Sequence, residues 1–341
     1  MRVEVNAKSK KYWIEIGELP QLQFNSKVAI ITNPKVAGLH LGYLLSRITA
    51  PEVYVITLPD GEEYKSWESV QFALDRLFDH QLDRQSYLIG FGGGVVGDMT
   101  GFIASIFMRG IRFIQIPTTL LAMVDSSVGG KTGINNKYGK NLVGTFYQPE
   151  AVYIDPHFLK TLPKREFNAG MAEVIKMGVM FDRNFFYQLK GGQLPIAHRI
   201  KRSVELKAWV VSEDEKERGL RSVLNYGHTF AHVIEKITDY RRYLHGEAVA
   251  IGMVMANRLA VKMGYLSPAE EEEIKEVIKA HSLPTSMRVE DPDRFYAHFF
   301  LDKKKKGETL KFILPKGIGN YVIVENPPKE YIYQVLEEVG S

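Results

Sequence analysis

Gly92, Gly94 and Gly97 constrain this chain more than any other feature, because they stand between a strand and a helix. Residues 87–91 read as a short buried strand, and 98–107 are apolar and compatible with a helix. The spacing is G-x-G-x-x-G in the context a dinucleotide fingerprint requires. Glycine there lets the chain turn tightly and lets a pyrophosphate reach main-chain N–H groups at a helix N-terminus. A tight turn without a ligand would use the same residues. Downstream, Gly129, Gly130, Lys131 and Thr132 imitate the end of a P-loop, but that pattern needs glycine where Asp125 stands. The P-loop is therefore rejected. What remains is two glycine-flanked loops carrying Lys131, Lys140 and Asn141.

Around this stretch, residues 1–160 alternate strand and helix signals. Apolar runs at 27–32, 53–57 and 111–116 read as buried strands, with helices at 39–47 and 66–79. Repeated β–α units mean a mainly parallel sheet with helices on both faces. The acidic residue expected about 20 positions after the glycines is missing, since that strand ends in Gln115, Ile116 and Pro117. Asp60, Gly61, Glu62, Glu63, Tyr64 and Lys65 follow the strand before the glycines instead, where they form either a ribose-reading segment or a polar turn. From residue 163 the character changes: 164–190, 195–218, 227–238, 246–263 and 267–280 have helical length and periodicity, and strand patterns return only at 311–314 and 321–324. The expected fold is an α/β, Rossmann-like domain over 1–162 with a mainly parallel sheet, followed by a mostly α-helical domain over 163–341.

The 341 residues are enough for two domains with substantial cores. No apolar run approaches the roughly 18 residues of a membrane span, and the charged start at Met1, Arg2 and Glu4 lacks a signal-peptide core. With no cysteine there are no disulfides, and zinc would have to use histidine and carboxylate ligands. This fits a cytoplasmic enzyme. A net charge of +4 is too mild to imply nucleic acid, but it suits a small anionic substrate.

Three segments supply candidate metal ligands. His228 and His232 stand four apart, on one face of a helix. His245 begins another helical run. Glu173 lies within an otherwise apolar helix, three residues before Lys176, and a buried carboxylate must be paired or bound to a cation. Two imidazoles and a carboxylate suit zinc with positions left open for substrate. An i, i+4 histidine pair is often just a helix surface, and spacing alone does not say which two of the three histidines ligate.

Taken together, these segments resemble 3-dehydroquinate synthase, the sugar-phosphate cyclase family of the shikimate pathway. Matching stretches run in order through 60–65, 92–98, 117–120, 125–133, 139–141, 172–176, 214–217, 224–230, 245–247 and 302–304. The resemblance implies a divalent metal, Zn2+ or Co2+, on Glu173, His228 and His245. It implies NAD contacts from Asp60 to Lys65, from Gly94, Val95, Val96, Gly97 and Asp98, and from Thr118, Thr119 and Asp125. Lys131 and Lys140 would lie near cofactor and substrate, with Phe158, Leu159, Lys160 and Thr161 closing the cofactor site. Substrate would meet Lys131, Asn141, Lys176, Lys207, Arg221, Asn225, His232 and Lys304, with Lys303 as the alternative to Lys304. The first domain would then bind NAD, and the second the metal and substrate.

The implied reaction converts 3-deoxy-D-arabino-heptulosonate 7-phosphate to 3-dehydroquinate. It proceeds by transient oxidation with NAD, phosphate elimination, re-reduction and an intramolecular aldol closure, so the enzyme is a phosphate-eliminating lyase with no net redox change. The resemblance also implies a homodimer. A metal-dependent polyol dehydrogenase shares the architecture but has no need of so many cations around one pocket, and a sister cyclase for another sugar phosphate is the nearer rival. A non-catalytic nucleotide-binding regulator would not need a metal triad.

Overall fold

The computed structural model describes residues 1–300 and 309–340. The chain forms two compact units, Met1–Pro163 with Ile196–Lys216, and Lys164–Pro195 with Glu217–Ser341.

The first unit is built on a seven-stranded sheet. Its strands are β1 (Arg2–Asn6), β2 (Lys11–Ile16), β4 (Val28–Thr32), β6 (Val53–Thr57), β7 (Tyr87–Gly92), β8 (Arg112–Pro117) and β11 (Ala151–Ile154), in the order β1-β2-β11-β8-β7-β4-β6. All neighbours pair parallel except β1 with β2. A short parallel pair, β3 (Leu22–Gln23) with β5 (Ile48–Thr49), and an antiparallel hairpin, β9 (Lys131–Asn136) with β10 (Gly139–Phe146), complete its strands. Its helices are α1 (Pro34–Leu45), α2 (Trp67–Asp79), α3 (Gly94–Ile106) and α6 (Ile196–Glu213).

Burial follows from position in the sheet. Every residue of β4 is buried, as expected of a central parallel strand covered on both faces, whereas the edge strand β1 alternates. Helix α2 buries Ser69, Val70, Ala73 and Leu77, one face at helical spacing. Taking only β4, β6, β7, β8 and β11, the order is that of a flavodoxin-like sheet, and strand order reverses between β4 and β7.

The second unit contains α4 (Lys164–Phe181), α5 (Arg183–Lys190), α7 (His228–Ile237), α8 (His245–Lys262), α9 (Pro268–Ala280), α10 (Pro292–His298) and α11 (Lys329–Glu338), with the antiparallel pair β12 (Lys311–Pro315) and β13 (Tyr321–Glu325). Helix α8 is its core. It packs against α4, α7, α9, α11 and β12, and is accordingly buried nearly all round.

Three expectations are revised in detail. The run 164–190 is two helices, because Asp182 leaves helical geometry and its carboxylate caps α5 by accepting from Phe185 N at 3.0 Å. The segments bearing Lys131, Lys140 and Asn141 are the strands of a hairpin rather than loops, hidden from pattern reading because much of β10 is exposed and the ladder slips between Gly139 and Val143. Helix α6 packs on β1, so residues 196–216 group with the first unit. Among the described residues, no helix is long and apolar enough to cross a membrane.

Candidate metal centre and dinucleotide site

In the second unit, Glu173 comes from the buried middle of α4, and His228 and His245 are the first residues of α7 and α8. Each offers one ligand atom, and the three atoms lie within 4.8 Å of one another. His228 Nε2 is 3.6 Å and His245 Nε2 is 3.9 Å from Glu173 Oε1. The opposite ring nitrogens have outer partners: His228 Nδ1 lies 3.1 Å from the Tyr226 carbonyl, and His245 Nδ1 lies 3.2 Å from Glu235 Oε1. With Nδ1–H engaged outward, each Nε2 lone pair is left facing the carboxylate.

Electrostatics favours a cation here. Glu173 is fully buried, and neither of its oxygens accepts a hydrogen bond, although Lys176 forms an ion pair with Oε2. Burial, then the positive Lys176 and the neighbouring His245 and His232, hold the His228 pKa well below its ordinary value, so its imidazole is neutral at neutral pH. A buried carboxylate with open lone pairs beside two imidazoles fits a divalent metal such as zinc. His232 is exposed, its ring 5.7 Å from that of His228, and stands outside this group of three.

The other residues singled out in this unit have defined settings. Lys176 and Arg221 are each 1% exposed. Asn225 donates from Nδ2 to Glu217 Oε1 at 2.9 Å, and Glu217 holds a left-handed φ of 55°. Lys303 and Lys304 lie outside the described residues.

In the first unit, the expected cofactor residues collect at the carboxyl ends of the parallel strands. Asp60–Lys65 follows β6, Gly94–Asp98 opens α3 after β7, Thr118 and Thr119 follow β8, and Phe158–Thr161 follows β11. Gly93 caps α3 without any side-chain hydrogen bond, so the first-turn N–H groups of Gly94, Val95 and Val96 are not taken by a capping side chain. That helix end sits beside the point where strand order reverses, the usual place for a nucleotide in an open α/β sheet. The residues present therefore fit a dinucleotide.

A polar network joins this region to the hairpin. Lys65, itself buried, donates to Asp98 Oδ2 at 2.6 Å and to Asn141 Oδ1 at 2.5 Å. Asn135 on β9 links Glu62 Oε1 at 2.8 Å to Asn141 N at 2.9 Å. Lys207 on α6 donates to both the carboxylate and the carbonyl of Asp125 at 2.6 Å. Burial raises the pKa of Asp98, an effect that Lys65 opposes. Phe158 is buried against His40, Tyr43 and Phe91, and among its neighbours the Thr161 hydroxyl lies 2.6 Å from His40 Nε2. Lys131 is exposed at the start of β9, and Lys140 is half-buried on β10.

Sequence reasoning passed over Glu235, Asn135 and the Arg165–Glu247 pair. Glu247 caps α8 by accepting from Leu244 N at 2.8 Å and takes two hydrogen bonds of 2.7 Å from Arg165. The signal available for Glu235 was a carboxylate on the face of α7 that also carries His228, two turns further along.

Family models for the 3-dehydroquinate synthase N-terminal and C-terminal regions match residues 55–169 and 170–305. A 3-dehydroquinate synthase from a Nitratiruptor species is 62% identical over 333 residues, covering 96% of this chain and 95% of its own. The chain belongs to the 3-dehydroquinate synthase family. Among solved structures, the 2-epi-5-epi-valiolone synthase ValA from Streptomyces hygroscopicus subsp. jinggangensis 5008, with NAD+ and Zn2+ bound, superposes with a TM-score of 0.83 at 29% identity, covering 92% of this chain and 90% of that one. A 2-deoxy-scyllo-inosose synthase complexed with carbaglucose-6-phosphate, NAD+ and Co2+ superposes with a TM-score of 0.85 at 24% identity, covering 99% and 100%, a likeness of fold. The 3-dehydroquinate synthase C-terminal match takes in all three residues of the metal group, and the N-terminal match takes in the fingerprint glycines.

Proposed function

We propose that this chain converts 3-deoxy-D-arabino-heptulosonate 7-phosphate to 3-dehydroquinate and phosphate, acting as a phosphate-eliminating lyase that uses NAD and a divalent metal. The observation that carries this reading is the Glu173–His228–His245 group within a chain matched by both family models. When bound, NAD would accept and return a hydride, and Zn2+ or Co2+ would polarise the reacting hydroxyls.

In this reading Glu173, His228 and His245 hold the metal. NAD binding is assigned to the 1–162 region: the uncapped start of α3 takes the pyrophosphate, Asp60–Lys65 lies by the ribose, and Thr118, Thr119, Asp125, Lys140 and Phe158–Thr161 complete the contacts. Metal binding is assigned to the second unit. Lys176 and Arg221 carry buried positive charge, which attracts a substrate carboxylate and phosphate more strongly than it would in water. Lys131 and Lys207 add to the anion contacts, and Asn141 and Asn225 orient hydroxyls. His232 offers an imidazole, a group suited to taking and giving a proton, and is assigned the proton transfer. A homodimer is part of the proposal, and a monomer mass by light scattering would count against it.

The test uses purified protein with zinc, catalytic NAD and the heptulosonate phosphate, following phosphate release and NADH absorbance together. Many turnovers of phosphate with no accumulating NADH are expected. NADH rising without phosphate would assign the chain to polyol oxidation instead, and silence in both channels would point to a different sugar phosphate.

A further inference from the structure

We infer that Glu235 is the positioning residue of the metal centre, fixing the ring of His245 through its Nδ1; this rests on the metal reading above. The two histidines of the group differ in how they are held. His228 has a side chain only 12% exposed, and its Nδ1 faces the carbonyl of Tyr226, two residues away on its own backbone. His245 is the first residue of α8, its side chain 35% exposed, so packing alone leaves its ring freer to turn. Its Nδ1 partner comes from another helix. Glu235 projects from α7, its carboxylate is 8% exposed, and Oε1 lies 3.2 Å from Nδ1.

A carboxylate is costly to bury, and Glu235 is buried where it meets an imidazole that must present its other nitrogen. Accepting from Nδ1–H selects the tautomer with an Nε2 lone pair and points that lone pair toward Glu173, while negative charge behind the ring raises its basicity as a ligand. The backbone under His245 is fixed separately, through Glu247 and Arg165. Ring and backbone are thus set by different carboxylates, so the role of Glu235 can be tested without unsettling the start of α8.

The experiment compares wild type, Glu235→Ala, Glu235→Gln and His245→Ala. Zinc affinity is measured by competition with a chromogenic chelator, together with the visible spectrum of the Co2+-loaded protein. In the metal-free protein, 15N shifts of His245 report the tautomer. Glu235→Ala is expected to weaken zinc binding about 10- to 100-fold, alter the Co2+ spectrum and leave His245 a mixture of tautomers. Glu235→Gln, whose amide oxygen can still accept from Nδ1–H, should lie between wild type and Glu235→Ala. NAD affinity serves as the check on folding and should be unchanged. If Glu235→Ala does not fold, Glu235→Gln carries the test through its weaker zinc binding and altered spectrum. Zinc affinity, Co2+ spectrum and tautomer all unchanged in the folded variants would overturn the assignment. Failure of the metal reading itself looks different: wild type would then bind zinc no better than His245→Ala, and the role of Glu235 would fall with it.

Discussion

At Glu173 two demands of physical chemistry conflict, since a carboxylate without a hydrogen-bond donor is enclosed completely. Lys176 offsets part of the charge, and a divalent cation shared with two imidazoles would satisfy the rest. His245→Ala removes one of those imidazoles, so we expect zinc affinity to fall by at least about 100-fold with NAD affinity intact, as dialysis and metal analysis would reveal. Retained zinc would refute the ligand set. A second buried carboxylate, Glu215, has the opposite character. It accepts from Ser9 N and Gln148 Nε2, each at 2.9 Å, and from the Ser9 hydroxyl. Burial pushes its pKa up, but these hydrogen bonds outweigh burial and hold it below the ordinary 4.5. A carboxyl depressed on folding contributes stability that is present above the unfolded value and is lost as pH falls through the folded one. Glu215→Gln should therefore cost about 1–3 kcal/mol at neutral pH and flatten the acid limb of the stability profile. An unchanged acid limb in denaturant titrations would show that the charge is not what matters.

Among the elements, the crossing of α7 and α8 brings His228 and His245 together. The two helices approach closely at Gly252, where an added Cβ would stand well under 3.0 Å from the Gly227 carbonyl oxygen. That contact is with backbone, so no side chain can turn away to relieve it. Gly252→Ala should destabilise by about 1–3 kcal/mol or more, and zinc affinity should drop with stability because both ligand-bearing helices must shift. Gly38, inside α1, has nothing within 4 Å of its added Cβ. Gly38→Ala should instead stabilise by about 0.4–1 kcal/mol through the unfolded chain and leave metal binding alone. Thermal melts of the two variants side by side test the packing argument, which fails if they move in the same direction.

For the whole molecule, the two compact units predict separable responses to two ligands. The metal group lies within the second unit, and the fingerprint glycines and Lys65 network lie within the first. Zinc at a hundredfold excess over its dissociation constant should add about 2.7 kcal/mol, and stripping it with a chelator should remove that increment. In hydrogen exchange, zinc should protect amides at the starts of α7 and α8, while NAD should protect 60–65 and the first turn of α3. Protection by zinc centred on α3 would place the metal elsewhere.

Much of this was legible without coordinates, where local periodicity carries the information. The strands β4, β6 and β7 and the helices α2, α8 and α9 follow from apolar spacing, and the glycine fingerprint and the lone carboxylate of an apolar helix mark the two ligand regions. What the sequence could not reach depends on residues distant along the chain. Spacing alone offered His228 and His232 as a pair and left His245 open; the resemblance implied His245, and the crossing of α7 and α8 groups it with His228. The missing carboxylate after the glycines looked anomalous until the sheet order put β7 beyond the reversal point, with Lys65 reaching Asp98 from the loop after β6. Glu235 shares a helix face with His228, but its role depends on an imidazole ten residues away on another helix, which spacing does not reveal. Periodicity is a property of neighbours in sequence and fixes elements; ligand geometry and the burial of charge are properties of neighbours in space, and only the packed chain decides them.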